Sequence, residues 1–583
     1  MNSKAKIDPI LVAVIENALN SICKQMGETM KRTSRSPIFS EAHDFVTAIF
    51  DRNLRLIAEQ EYIPSLVAAT PPAMQALVNK FKGNIYPGDV FIQNDPYEGN
   101  CNHPPDVQVT RPVFRNGEII FWTLAKGHQA DTGGAGVGGY NPKARDCWED
   151  AIRIPITKIY EKGEYNRDLW DMILLNLHVP FLVEGDLHCE VGATKIGERL
   201  VLELLEKYGL EVLDKAVDEY LDANERLVRE GIRKIPDGIY MGEENQDDDG
   251  YGHMSTMRVR MEVKGDEVTF DFSDSDPQTE GPYNSTLANT VSMTCCCFLA
   301  CLGPVPRHNE GAMRPIKVVT KEGTIAHCIF PAACVMVGPT LGEVIGHAVW
   351  RAVAKAAPET STAGWSRFVG MSSEGINPRT GRHVATIDFF SKGGIGATYG
   401  YDGWNHCTPV TPLGDCQAPD PELHEINYPF TILNYEILQD SGAPGRWRGG
   451  LGVHYKFRID ADNLRWSNWS SGVREEVVPY GVQGGKPAKP NVVHFIRRDG
   501  TVEDVPPADF SKVYKGDLVE VFATGGGGYG DPYLRPAEKV LEDVRDEVIS
   551  VQSARDDYGV VVDPETMKID EQATAKLRGA RGV

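Results

Sequence analysis

No apolar run in this chain approaches the ~20 residues that span a bilayer. The longest, TCCCFLACLG at 294–303, is about half that. The opening MNSKAKIDP has no apolar core of the kind a secretory signal needs, so the sequence predicts a cytoplasmic protein. Positive charge is also scarce. Sixty Lys and Arg face 82 Asp and Glu, a formal net charge of −22. Nucleic acid and anionic membrane both demand a basic surface, so neither is an expected partner. The twelve cysteines include no C-x-x-C pair and read as thiols. Cys295, Cys296, Cys297 and Cys301 cluster in the apolar run, which predicts a buried segment. G-x-S-x-G, H-E-x-x-H and G-x-x-x-x-G-K-[ST] are all missing. Their absence removes the familiar serine-hydrolase, metalloprotease and phosphate-loop readings.

What is present is ordinary in amount: 41% hydrophobic and 24% charged residues over 583 positions. That is too long for one simple core and predicts several packed sub-regions. Fifty-eight glycines and 37 prolines predict many turns. Ile10, Leu11, Val14, Ile15, Leu19, Ile22, Met26 and Met30 recur at helical steps, so 8–33 reads as a helix capped by Asp8, with Pro9 in its first turn. Residues 44–58 read as a hairpin. Residues 87–125 read as strands, with Asn116-Gly117 turning one hairpin. Residues 167–233 are helical in pattern. MRVRMEV and EVTFDF flank a turn at KGD, 335–356 ends in a helix, and 430–535 is rich in glycine and short strands. The expected class is α+β: several packed sub-regions with mixed antiparallel sheets, a helical segment at 167–233 and a mainly β, Gly-rich C-terminal region. The expected division is a main region 1–535, with a site-bearing part at 34–160 and a β-rich part at 250–535. A C-terminal helix and polar tail would fill 536–583.

The chemistry concentrates in CNHPPDVQVT and KGHQADTGG. Pro104 and Pro105 forbid a helix, so His103 and Asp106 sit at the mouth of a strand. His128 and Asp131 follow the returning strand. Antiparallel pairing brings the two ends together. Two imidazoles and a carboxylate suit Zn²⁺, Mn²⁺ or Fe²⁺ and leave positions for water or substrate. Asp44, in EAHDF, offers a second carboxylate. Turn capping by the same residues is the competing reading. GAGVGG (134–139) and GGGGYG (525–530) match G-x-G-x-x-G, but neither opens a helix, so both read as tight turns. Glu343 and His347 share a helix face; a satisfied pair is the preferred reading, a pocket lining the other.

RTSRSPIFSEAHDF, NDPYEGN, NHPPDV, GHQADTGG, DFSDSDPQTEGPYN, DSGAPGRWRGGLG and ATGGGGYGDP occur in that order. Together they resemble the hydantoinase B/5-oxoprolinase family, whose relatives include ketone carboxylase subunits. The resemblance makes 1–535 a hydantoinase B-like catalytic region. It implies a divalent metal (zinc or manganese, or iron) on His103, Asp106 and His128, with Asp44 as a further ligand or a catalytic group. Asp131 or Asp95 would orient a ligand imidazole. The resemblance also implies a hydantoinase A-like partner subunit carrying ATP and Mg²⁺, a hetero-oligomer, and a cyclic amide substrate whose carbonyl the partner phosphorylates. Its alternatives are a ketone carboxylase subunit and a scaffold with a structural metal. The chain departs from the family pattern at Asn100-Cys101-Asn102-His103, one residue longer than usual, and at Gln129, where a second histidine is common.

Overall fold

A computed structural model describes residues 7–303, 307–414 and 416–579. The extreme N-terminus, from which a cytoplasmic location was expected, and the last four residues of the predicted tail lie outside the described residues. The fold is α+β, as the sequence pattern predicts. The chain forms two compact units, 1–239 with 260–342 and 240–259 with 343–583. No helix among the described residues is long and apolar enough to cross a membrane.

The first unit is built on a seven-stranded sheet: β1 (Phe45–Asp51), β2 (Leu56–Glu61), β3 (Val90–Gln93), β4 (Asp106–Arg115), β5 (Glu118–His128), β6 (Thr157–Glu161) and β7 (Glu164–Tyr165). Their order is β2-β1-β5-β4-β3-β6-β7, with every neighbouring pair antiparallel. Asn116 and Gly117 both take positive φ, 52° and 83°. That is the conformation of a two-residue turn whose twist matches its strands. The turn sets Arg115 opposite Glu118 and Phe114 opposite Ile119; a one-residue register shift between Val113 and Phe114 then brings Asp106 opposite His128.

Helix α1 (Pro9–Thr33) starts where Asp8 accepts the Ile10 N–H at 2.9 Å. Its Ile15, Leu19, Ile22, Met26 and Met30 are buried, but Ile10 and Val14 at its start are exposed. The predicted stripe is therefore core only from the second turn onward. Helix α2 (Pro180–Tyr208) and helix α3 (Leu210–Ile232) follow Arg167–Leu175 and fill the helical segment. One face of the sheet is closed by α2: Val107 and Val109 meet Val183, Leu187 and Val191. Strand alternation sends Asp106, Gln108, Lys126 and His128 to the opposite face. That face is also buried, so β4 is covered on both sides for eight of its ten residues. The cysteine-rich segment is the buried helix Leu287–Leu299, and all twelve cysteines are free thiols.

The second unit is mainly β. Four strands (His383–Ile387, Met371–Ile376, Leu464–Trp469, Ala508–Val513) form one sheet. Five more (Phe430–Ile437, Val453–Ile459, Leu518–Phe522, Val492–Ile496, Val502–Asp504) form another. Val369, Met371, Tyr455, Phe457, Trp466, Phe495 and Val521 belong to one core. The predicted polar tail is corrected here. After Ala537–Arg545 come a helix (Val551–Asp556), a short strand pair and a last helix (Glu571–Gly579). Val540, Ile549, Tyr558 and Val560 make a small core of their own. The expected boundary at 535/536 falls inside this packing, because Arg535 pairs with Asp543 at 2.8 Å. The helix Ala537–Arg545 was legible, with Val540 and Val544 four apart; the elements after it are too short to show a period.

Candidate metal centre

His103 and Asp106 reach the centre through a folded turn. Asp95 accepts the N–H groups of Glu98 and Gly99 (2.7 and 3.2 Å) and pairs with Arg153 at 2.6 Å. The Asn94 amide donates to the Pro104 carbonyl, and Asn100 takes φ 51°. Asn100, Cys101 and Asn102 lie in this turn and lead into His103. Asp95 is thus a turn former, and none of these bonds reaches a ligand imidazole.

The donor atoms of His103, Asp106 and His128 all lie within 4.8 Å of one another, and all three residues are buried. Asp106 Oδ1 stands 3.0 Å from His103 Nε2 and 3.2 Å from His128 Nδ1. Its other oxygen accepts from the Asn102 amide. Burial alone would raise this acid, but the two imidazoles hold it well below the usual carboxylate range. Burial pushes the His128 imidazole down, against the pull of Asp106. His103 Nδ1 lies 3.0 Å from the Val335 carbonyl, a pure acceptor. Nδ1 therefore carries a proton, and Nε2 is the nitrogen turned towards Asp106. The His128 ring stacks on Tyr140 at 5.3 Å between centroids. A Cβ on Gly338 would come within 2.8 Å of the His103 ring, so glycine leaves the ring its place.

Asp44 enters from β1. Its carbonyl accepts the His128 N–H at 3.0 Å. Desolvation and the neighbouring Asp106 charge push its acid well above the usual range. It stands beside the three-residue set rather than within it. Asp131 is engaged elsewhere. It accepts from Gly133, His178 and Val179 and so fixes the approach to α2. None of these bonds touches His103 or His128, so the expected orienting role finds no support in the geometry. Gln129 turns away and donates to Glu190 at 3.1 Å.

The residues fit a divalent cation. His103 Nε2 and His128 Nδ1 converge on Asp106 Oδ1, and His128 Nε2 is buried without a hydrogen-bond partner. Two imidazoles and a carboxylate with ligand atoms this close are a donor set that imidazole- and carboxylate-binding metals take up.

Glu343 and His347 belong to the second unit and are tied to backbone. Glu343 accepts from Phe368 and Val410 (3.0 and 3.2 Å), and His347 Nε2 accepts from Trp365 (3.1 Å). Burial raises the Glu343 acid to about 7, despite the opposing pull of Arg367. An acid raised above its unfolded value gives stability that is full below pH 4.5 and is lost as pH rises through about 7. Glu343→Gln should remove that loss. Between pH 4.5 and pH 8 the stability gap should move in the variant's favour by up to about 3 kcal/mol. Denaturant midpoints measure it; a pH-independent gap refutes it.

With this geometry in place, the comparisons decide the family. The hydantoinase B/oxoprolinase family model matches residues 8–532. The chain belongs to the hydantoinase B/oxoprolinase family. Among its family relatives, the caprolactamase subunit beta of Pseudomonas jessenii is 34% identical over 98% of this chain and 99% of that protein. The solved ATP-dependent caprolactamase from Pseudomonas jessenii superimposes with TM-score 0.92 at 33% identity, over 99% of this chain and 100% of that one. An acetone carboxylase structure superimposes with TM-score 0.91 at 20% identity, over 99% of this chain and 83% of that one, a likeness of fold alone.

Proposed function

We propose that this chain is the metal-binding subunit of an ATP-dependent cyclic amide hydrolase, opening a lactam, hydantoin or oxoproline-type ring. The observation that carries it is the convergence of His103, Asp106 and His128 in a chain 34% identical to a caprolactamase subunit over nearly its whole length. A hydantoinase A-like partner would bind ATP and Mg²⁺ and phosphorylate the carbonyl oxygen, turning a poor electrophile into a good one. The two would work as a hetero-oligomer.

His103, Asp106 and His128 would hold the metal, with zinc, manganese and iron all suited to the donor set. When bound, it supplies Lewis acidity that polarises a carbonyl or phosphoryl oxygen and acidifies water. This chain's residues supply the rest. The Val335 carbonyl keeps the His103 proton on Nδ1. The Asn102 amide holds one Asp106 oxygen and so aims the other between the imidazoles. Tyr140 sets the plane of His128. Asp44, beside the three-residue set and with its acid pushed up by burial and the Asp106 charge, would give a proton to the ring nitrogen that leaves. Water attacks the activated carbon and the ring C–N bond breaks, the ring nitrogen taking up a proton; a second water then hydrolyses the acyl phosphate that remains, giving phosphate and the ring-opened amino acid.

The test is phosphate release from ATP by this chain with its co-purified partner, against a cyclic amide panel and separately against ketones with bicarbonate. Release stimulated by an amide, with a ring-opened amino acid as product, is expected. Release only with ketone and bicarbonate, giving a new carboxylate, would move the protein to the carboxylases.

A further inference from the structure

We infer that Asp150 is a positioning residue of the metal centre, acting on His103 through the segment 331–338. The inference rests on the metal reading above. Asp150 ends the short helix Cys147–Asp150 and is fully buried. One of its oxygens, Oδ2, accepts two consecutive backbone N–H groups, Cys334 at 2.5 Å and Val335 at 3.1 Å. The carbonyl of that same Val335 accepts the His103 Nδ1 proton at 3.0 Å. The relay thus runs from the carboxylate to the Val335 N–H, through one Cα to the Val335 carbonyl, and on to the imidazole; both contacts are direct hydrogen bonds.

The segment is laced to the helix at further points. Cys147 N–H donates to Pro331, Asp146 bridges Ala332, and the Tyr97 hydroxyl donates to Ala332. Three residues past Val335, Gly338 lies against the His103 ring. The segment therefore sets both the tautomer and the position of His103. Metal-ligating histidines characteristically give their second N–H to such a partner, and disturbing that partner weakens the metal tenfold to a hundredfold.

Chemistry supports a specific role over a bland one. Burial pushes the Asp150 acid well above the usual carboxylate range, and its Oδ1 has no partner. A carboxylate that is costly to bury and only half satisfied is a poor choice for packing alone. Asp186 provides the internal control. It too is buried, its Oδ1 accepts two consecutive N–H groups, Arg35 and Ser36 (2.7 and 3.1 Å), and its Oδ2 is unpartnered. No hydrogen bond of Asp186 reaches a ligand or the peptide that holds one.

The experiment is zinc affinity of the full chain, by competition with a chromogenic chelator, with the melting temperature of each metal-free variant as the fold check. Asp150→Ala is expected to bind zinc at least about tenfold more weakly. Asp150→Asn keeps an acceptor oxygen and should recover most of that loss. Asp186→Ala should melt lower yet bind zinc as the wild type does. If Asp150→Ala does not fold, Asp150→Ser, which leaves room for a water, carries the same expectation. Wild-type affinity in the Asp150 variant, or an equal loss in Asp186→Ala, overturns the inference. Zinc retained by His103→Ala overturns the metal assignment itself, a failure distinct from zinc retained by the Asp150 variant alone.

Discussion

His103→Ala and His128→Ala, each in the full chain with its partner, should lose bound metal and amide-stimulated turnover together. The effect should be large. Lewis-acid stabilisation of a transition state is worth several kcal/mol, and each 1.36 kcal/mol is tenfold, so a drop of about a thousandfold or more is expected. The arrangement explains why neither histidine can substitute for the other. Asp106 Oδ1 bridges both rings, and removing one leaves a buried carboxylate with two of its three side-chain partners. Leaving a buried acceptor unsatisfied costs about 1–3 kcal/mol, so both variants should also melt lower when metal-free. His347→Ala separates the two effects. It removes an equally buried imidazole, bonded only to a backbone N–H, and should lower stability without lowering metal content. Elemental analysis alongside turnover reads the outcome. Full metal content with full turnover in both His103→Ala and His128→Ala would remove the central claim.

The parts of this centre visible in the sequence are those set by short-range rules. Asn116-Gly117 announces a two-residue turn and so the hairpin that brings the ends of its strands together; the one-residue shift at Val113/Phe114 that puts Asp106 opposite His128 and not Gly127 carried no such signal. Given that register, strand periodicity places the pair on one face. The rest of what was not visible depends on distant segments. Val335 lies 232 positions from the imidazole it holds, and no local pattern connects them. Asp150 and Gly338 act through that same segment. Asp131 misled for a related reason. A carboxylate three residues after a histidine looks like its partner, but both its oxygens are taken by the turn into α2. Asp44 lies between these cases. Its place at the head of β1 follows from the hairpin, whereas its altered acidity comes from burial and then from Asp106, both supplied only by the packed sheet.

The second large effect is expected far from any ligand, in GGGGYG. Gly525–Gly528 do not take positive φ, so backbone freedom does not explain them. Space does. A Cβ on Gly525, Gly526, Gly527 or Gly528 would strike, respectively, the carbonyl oxygens of Gly450, Ile395, Tyr480 and Pro444. Each of the four also donates its N–H to another strand: to Ser441, Gly450, Gly364 and Lys486 at 2.7–3.0 Å. Several segments cross here, backbone against backbone, and the obstructing atoms belong to main chain that cannot rotate aside. Gly527→Ala must therefore either break the bonds to Gly364 and Ala397 or force the crossing apart. Overpacking costs about 1–3 kcal/mol where side chains can yield, so about 3 kcal/mol or more is expected here. Gly527→Val should leave no folded protein, since whole domains hold only about 5–15 kcal/mol. Gly192→Ala is the counter-case: a helical glycine within α2 with nothing near its Cβ position. It should gain about 0.5–1 kcal/mol from helix propensity. Urea unfolding of the three variants decides the matter. A Gly527→Ala protein within about 0.5 kcal/mol of wild type would show that the crossing yields, and that the glycines are there for some reason other than close approach.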